Sequence, residues 1–290
     1  MKRVEVLKTY KIFIGGKFPR TESGRYYPLS NKAGDLLANI CLSSRKDIKM
    51  AVVAARKAQP NWWSRSAFNR SQIIYRIAEM MESRKALLIE EIHRSGLSKK
   101  DAEVEVNQAI DNVVYYAGWC DKYSQVFSAV NPVSSPHFNF TSPEPMGVIT
   151  VIPSEKSALI GLVNALLPAI VGGNTVVLLA DEKYPLVAIA MAEIINDSDV
   201  PAGVVNILTG KKAELIGHLS SHMDVNAITY YGDNSQEIET INEHAIENLK
   251  RVFVYGDDLV DVNPYFISDL QEFKTTWHPI EVISPSGSSY

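Results

Sequence analysis

Two thiols, Cys41 and Cys120, are the only sulfur nucleophiles the chain offers. Acyl transfer through sulfur needs a thiolate beside an activating base. Cys120 falls in a stretch of helical periodicity with no histidine close by, and Cys41 falls in an extended stretch. Both read as small, half-buried or buried side chains. His218 and His222 have the i, i+4 spacing of a helical metal pair, but no third ligand accompanies them. They read as a polar helix end, and no metal site is expected. Asp257, Asp258 and Asp261 could surround a cation but read as a polar loop. Asp233 or Asn234 reads as the cap of a helix that starts at Ser235.

The bulk numbers exclude several classes of function. A chain of 290 residues that is 46% hydrophobic can bury a sizeable core. Its net charge of -4 gives no electrostatic footprint for nucleic acid. The longest apolar run, Ala158 to Gly172, is interrupted by Asn164 and Pro168 and is too short to span a bilayer. Met1 to Lys8 is too polar for a secretory leader. Two cysteines make no disulfide framework. The expected setting is the cytoplasm, with neither membrane nor nucleic acid as partner.

The elements that would position such residues fall into two halves. Lys11–Ile14 reads as a strand, turned by Gly15-Gly16. A second extended stretch covers Asp35–Leu42. Ser44 and Asp47 form a box-like helix start, with Ile48, Val52, Ala55 and Gln59 at helical spacing and Pro60 as the expected stop. Asn69–Arg94 reads as two amphipathic helices meeting near Ser83. Ser98 caps another, which should run to about Tyr123 and bury Val104, Ile110, Val113, Val114 and Ala117. A Pro/Ser loop, Asn131–Pro136, separates this half from the next. His137–Thr141 alternates like an edge or hairpin strand, which would place Phe138 and Phe140 on one face.

From Gly147 onward, strands and helices alternate. The strands are Val148–Ile152, Thr175–Leu179, Val204–Leu208, Ala227–Tyr231 and Arg251–Tyr255. The helices are Ala158–Gly172, Leu186–Asp197, Lys212–Ser220 and Ser235–Asn248. Short, continuous apolar strands imply a sheet covered on both faces. Alternation implies an α/β fold with a doubly wound parallel sheet. Glu272–Trp277 reads as one further strand, and Ser284–Tyr290 as a polar tail.

Several segments resemble the aldehyde dehydrogenase superfamily in order and spacing. They are Ile12–Phe18, the helix Ala51–Trp63, Tyr115–Trp119 followed by Asp121-Lys122-Tyr123, and Glu144–Val148. Leu167-Pro168-Ala169, Gly172–Val177 and Val200–Asn206 complete the set. The resemblance implies a Rossmann-like parallel sheet, an N-terminal helical layer and a small antiparallel oligomerisation flap. It also implies a catalytic domain, carrying the nucleophilic cysteine, inserted after the last parallel strand. Leu270–Ile280 is similar to the family's C-terminal flap strand, so the chain is expected to skip that domain. The expected organisation is a hairpin and helical layer over 1–130, a flap strand over 131–146, the Rossmann-like part over 147–258, and a flap strand with its tail over 259–290. This resembles a free-standing form of the degenerate second domain found in some two-domain members.

The same resemblance implies that the family's working positions are changed. Glu155 stands where an asparagine would steady an oxyanion, and a carboxylate there would repel it. Tyr255 stands at the general-base glutamate, and a phenol is a poor base near neutrality. Leu179 replaces the lysine of the cofactor grip, whereas Glu182 matches its glutamate. Of the Gly-Ser-Thr turn near the pyrophosphate only Gly232 is kept, and Asp233 adds negative charge there. Glu182 and Gly232 are therefore the residual cofactor-binding residues, and no cofactor is expected, with NAD(P) the candidate if any is bound. The leading expectation is a non-catalytic protein that assembles through its flap, as a homodimer or with a complete aldehyde dehydrogenase. A nucleotide or metabolite sensor and an NAD(P)-dependent aldehyde oxidoreductase are the alternatives.

Overall fold

The computed structural model describes residues 8–31, 34–257 and 261–280. Strands β1 (Tyr26–Ser30) and β2 (Leu36–Cys41) form an antiparallel ribbon. Lys11–Ile14 does not become a ladder strand as expected. Gly15 and Gly16 do turn the chain, at φ +58° and +73°. However, Phe13 makes its only backbone pair with Ile207, each amide donating to the other's carbonyl at 2.8 Å. The Ile14 and Lys17 backbones also pair with each other around Gly15-Gly16, as the hairpin turn requires, so the segment makes a tight hairpin that covers an edge of the main sheet.

Helix α1 (Arg45–Trp63) starts at the expected capping box, where the Ser44 hydroxyl accepts from Lys46 N and Asp47 accepts from Ser44 N. It continues through Pro60, against the expected stop. Proline in the last turn removes only one hydrogen bond. Trp62, fully buried, anchors that turn by donating its indole N–H to the Ile170 carbonyl at 2.9 Å.

Helices α2 (Ala67–Ser83) and α3 (Lys85–Arg94) meet where the sequence places the break. Helix α4 (Lys99–Ala117) is capped by Ser98 and ends before Tyr123, where a separate short helix, α5 (Tyr123–Phe127), begins. Its buried stripe includes Ala102, Glu105, Val106, Ala109, Ile110, Val113, Tyr116 and Ala117. Val104 and Val114 are exposed, contrary to expectation, because this stripe turns the other face of α4 inward.

Strands β3 (Ala129–Asn131) and β4 (His137–Pro145) open the flap. The parallel part follows as β5 (Val148–Ile152), α6 (Ile160–Val171), β6 (Thr175–Leu179), α7 (Pro185–Asn196), β7 (Val205–Leu208), α8 (Lys212–Ser221), β8 (Ala227–Tyr231), α9 (Ser235–Ala245) and β9 (Arg251–Tyr255). A short helix, α10 (Tyr265–Asp269), leads to β10 (Gln271–Pro279). The five parallel strands run in the order β7-β6-β5-β8-β9, and the flap in the order β10-β4-β3. Both flap strands read from sequence are longer than expected, and β3 is an addition.

The sheet separates two cores, as period-two alternation requires. Ile149, Val151, Val176 and Leu178 face α2, α4, α6 and α7. Val148, Ile152, Val177 and Leu179 face α1 and α8. At Gly173, φ is +89° and a Cβ would lie 2.6 Å from the Trp63 ring. Only glycine permits that turn between α6 and β6.

Residues 256–270 carry the chain from β9 to the start of β10. Within them Ile267 and Leu270 are buried in the core that contains α4 and α6. The Asn263 amide donates to the Tyr116 hydroxyl at 3.4 Å, and the Asn174 amide nitrogen donates to the Leu270 carbonyl at 3.0 Å.

Candidate functional site

In a doubly wound sheet, ligands bind outside the carboxyl ends of the strands, where the strand order reverses. Here that place lies beyond β5 and β8. It is flanked by the loops after β6, β7 and β9. Glu155 follows β5, Glu182 follows β6, Gly232 follows β8, and Tyr255 ends β9.

The structure joins Glu155 and Glu182 through the start of α8. The Lys212 ammonium, almost fully buried, pairs with Glu155, and Lys183 approaches the same carboxylate at 3.4 Å. Glu182 accepts from Lys211 Nζ at 2.8 Å and from the Lys212 backbone N–H at 2.8 Å. It therefore caps α8, which has no side-chain cap of its own. Burial alone would raise the Glu155 carboxyl, but Lys212 and Lys183 together hold it below its ordinary value. Beside them, Asp181 accepts from Lys183 N at 2.6 Å through Oδ1, while its buried Oδ2 has no hydrogen-bond partner. Burial, with the nearby charge of Glu155, pushes this carboxyl up to about 6 against the Lys183 amide bond.

Gly232 and Tyr255 form a second group. The Gly232 amide donates to the Tyr255 carbonyl at 3.0 Å, and a Cβ on Gly232 would meet the Tyr230 hydroxyl at 2.7 Å. The Tyr255 ring lies 4.9 Å from that of Tyr231 and 5.1 Å, edge on, from that of Phe266. Its hydroxyl donates to Asp269 at 2.7 Å. Burial, then the neighbouring Tyr231 and Asp269, push the phenol above its ordinary value. It has no capacity to act as a base near neutral pH.

Helices α6, α7, α8 and α9 all start at this end of the sheet, and such N-termini ordinarily attract anions. Three of them already have side-chain acceptors from the chain itself, whereas α7, which starts at Pro185, has no side-chain cap. Glu105 accepts from the Leu159 and Ile160 amides at the start of α6, at 2.6 and 3.2 Å. Glu182 serves α8. Asn234 accepts from the Gln236 and Glu237 amides at the start of α9, at 3.0 and 3.4 Å. Asp233 is exposed beside that cap, and Glu237 in the first turn accepts from the Tyr230 hydroxyl at 2.6 Å.

Leu179 is fully buried among the residues facing α1 and α8, so its position projects no polar group into the crevice. Ser154 donates to the Asp257 carbonyl at 2.9 Å and also bonds its carboxylate. Asp258 lies outside the described residues. No cluster of three or more metal-ligating side chains occurs among the described residues. Cys120 is fully buried, and burial pushes its thiol up to about 12. Cys41 is half-buried, with its sulfur 3.6 Å from the Tyr10 carbonyl.

Lys183, Lys211, Lys212 and Asp181 were not singled out from the sequence. One signal pointed to them. Lysines at a helix start oppose the helix dipole, so consecutive lysines at 211 and 212 call for nearby carboxylates.

A family model described as the aldehyde dehydrogenase family matches residues 19–255. The chain belongs to that family. DhaS of Bacillus subtilis, which carries a provisional aldehyde dehydrogenase name, is 34% identical over 259 residues, covering 87% of this chain and 51% of its own. Cytosolic 10-formyltetrahydrofolate dehydrogenase of Mus musculus is 30% identical over 258 residues, covering 87% of this chain and 29% of its own. The solved NAD+ complex of an aldehyde dehydrogenase from Bacillus cereus superposes with a TM-score of 0.81 at 27% identity. That match covers 86% of this chain and 51% of the other. The chain thus spans about half the length of the first of these relatives, and less of the second.

Proposed function

We propose that this chain is a non-catalytic member of the aldehyde dehydrogenase family with a structural or regulatory role, exerted through its flap. The observation that carries the reading is the crevice itself. The N-termini of α6, α8 and α9 are capped from within, and the two carboxylates at the cofactor and oxyanion positions are held in lysine pairs. A dinucleotide would have to displace Glu182 from the α8 amides and bring its phosphates beside Asp233 and Glu237. The first step gives up the Glu182 hydrogen bonds at the start of α8, and the second sets like charges beside each other. The residues present do not fit the cofactor. Glu155 and Tyr255 supply neither oxyanion donor nor base.

The flap supports the assembly part of the reading. Strand β10 is an edge strand, and Phe273 and Trp277 are 47% and 57% exposed on one of its faces. Phe138 and Phe140 pack on the other face of the flap, their ring centroids 5.6 Å apart, and Phe138 is 46% exposed. A three-stranded sheet with open edges and exposed aromatics calls for a covering partner. That partner is a second copy of the chain or a complete aldehyde dehydrogenase, and the setting proposed is the cytoplasm. No helix among the described residues is long and apolar enough to cross a membrane, and neither membrane nor nucleic acid is a proposed partner.

Calorimetric titration with NAD and NADP, beside an assay of NADH or NADPH formation with short and aromatic aldehydes, tests the reading. The expected result is no turnover and at most weak binding. A low-micromolar dissociation constant, with turnover that survives purification, would contradict it and favour the oxidoreductase alternative. Binding without turnover would favour the sensor reading, for which Glu182 at the crevice is the supporting feature.

A further inference from the structure

The outward face of the β1–β2 ribbon borders a cavity of about 450 Å³, none of whose lining residues belongs to the crevice network described above. Tyr26 and Cys41 are cross-strand partners in the ribbon, and Asn39 is two residues from Cys41 on the same face. Arg20 and Arg25 come from the turn that leads into β1, and Lys8 closes another side. None of the described lining residues is acidic. In a chain of net charge -4 this is a local inversion of sign. Arg25 is tied to Glu214 at 3.0 Å and Lys8 to Glu193 at 2.8 Å, both carboxylates standing outside the lining. Arg20 is exposed and has no ion-pair partner among the described residues. The Tyr26 ring is 64% exposed and offers a flat apolar wall.

We propose that this cavity binds a small planar organic anion, its charge held by Arg20 and Arg25 and its ring lying against Tyr26. The volume falls in the range of small-ligand sites. Of the three cations, Lys8 and Arg25 share their charge with Glu193 and Glu214, so Arg20 supplies the charge, unpaired among the described residues, that raises the local concentration of anions. Guanidinium groups suit a carboxylate because they present a planar fork of donors. Asn39 adds an amide on the same ribbon face.

Cys41 supplies a reporter, because it lines the cavity while the other thiol, Cys120, is fully buried. The experiment compares the rate of Cys41 modification by an anionic aromatic disulfide, dithiobis-nitrobenzoate, with that by neutral dithiodipyridine. In both reactions the Cys41 thiolate attacks one sulfur, forms a mixed disulfide and releases the other half of the reagent as a thiolate. Peptide mapping confirms the site. The expected result is that the anionic-to-neutral rate ratio falls about fivefold or more in Arg20→Gln and further in Arg20→Gln/Arg25→Gln, a size typical of electrostatic focusing. Millimolar benzoate should slow the anionic reagent, and benzamide should not. Arg20→Gln leaves the Arg25–Glu214 pair intact, so an unchanged thermal midpoint separates binding from folding. An unchanged rate ratio in both variants, or equal slowing by benzamide, would overturn the proposal. Equal protection by inorganic phosphate would overturn the role given to the Tyr26 ring.

Discussion

Asp181→Asn should make the protein more stable at neutral pH, and the gain should vanish in acid. The side chain is 5% exposed, Oδ1 accepts one backbone amide, and Oδ2 has no partner. Its folded-state value is about 6 against an ordinary value of 3.8. The folded state therefore binds more protons than the unfolded state between those values. For a group raised in this way, the favourable contribution is complete below the unfolded value and is lost as pH rises through the folded one. Two units correspond to about 3 kcal/mol at 1.36 kcal/mol per unit. Asparagine keeps Oδ1 for Lys183 and removes the charge. Urea unfolding at pH 8, pH 6 and pH 4 should show the variant ahead by about 2–3 kcal/mol at pH 8, by less at pH 6, and by little at pH 4. An advantage independent of pH, or a variant less stable at pH 8, would show that burial does not raise the Asp181 carboxyl.

Lys212→Met should let the Glu155 carboxyl move up toward its ordinary range, since Lys183 at 3.4 Å is the weaker of its two ammonium partners. A carbon-detected NMR titration of the Glu155 side chain reads this directly, and an unmoved titration would remove Lys212 from the crevice network. Trp62→Phe should cost about 1–3 kcal/mol, because it leaves the buried Ile170 carbonyl without the indole donor and opens space under the last turn of α1. Thermal unfolding checks it, and a change below about 0.5 kcal/mol would show that the anchoring role of Trp62 is overstated.

The parallel sheet was the most legible part of the sequence. Val148–Ile152, Thr175–Leu179, Ala227–Tyr231 and Arg251–Tyr255 are the observed strands to the residue. The first three are buried throughout on both faces, so their signal is a short unbroken apolar run with little to compete against it. Caps at Ser44, Ser98 and Asn234 were legible for a related reason, since each depends on residues within three positions. The features that escaped depend on distant partners. Strand β3 is three residues long and exists only because β4 pairs with it. Helix α1 passes Pro60 because Trp62 finds a carbonyl on α6. Which faces of α4 are buried was settled by α2 and α6, and Val104 and Val114 were misjudged. In the crevice the identities of Glu155, Glu182, Gly232 and Tyr255 could be read, but their partners could not. The Glu155–Lys212 and Glu182–Lys211 pairs join residues 57 and 29 positions apart, and no local pattern encodes such a contact.

Assembly through the flap is the property on which the proposed role depends. Light scattering gives the most direct measurement, applied to the full chain alone, mixed with a complete aldehyde dehydrogenase, and as the Phe273→Ser/Trp277→Ser variant. The expected result is a homodimer, or a stable heteromer with the complete enzyme, that dissociates in the variant while its thermal midpoint shows the monomer still folded. A full chain that stays monomeric and does not associate with the enzyme, or an assembly that the variant leaves intact, would contradict it.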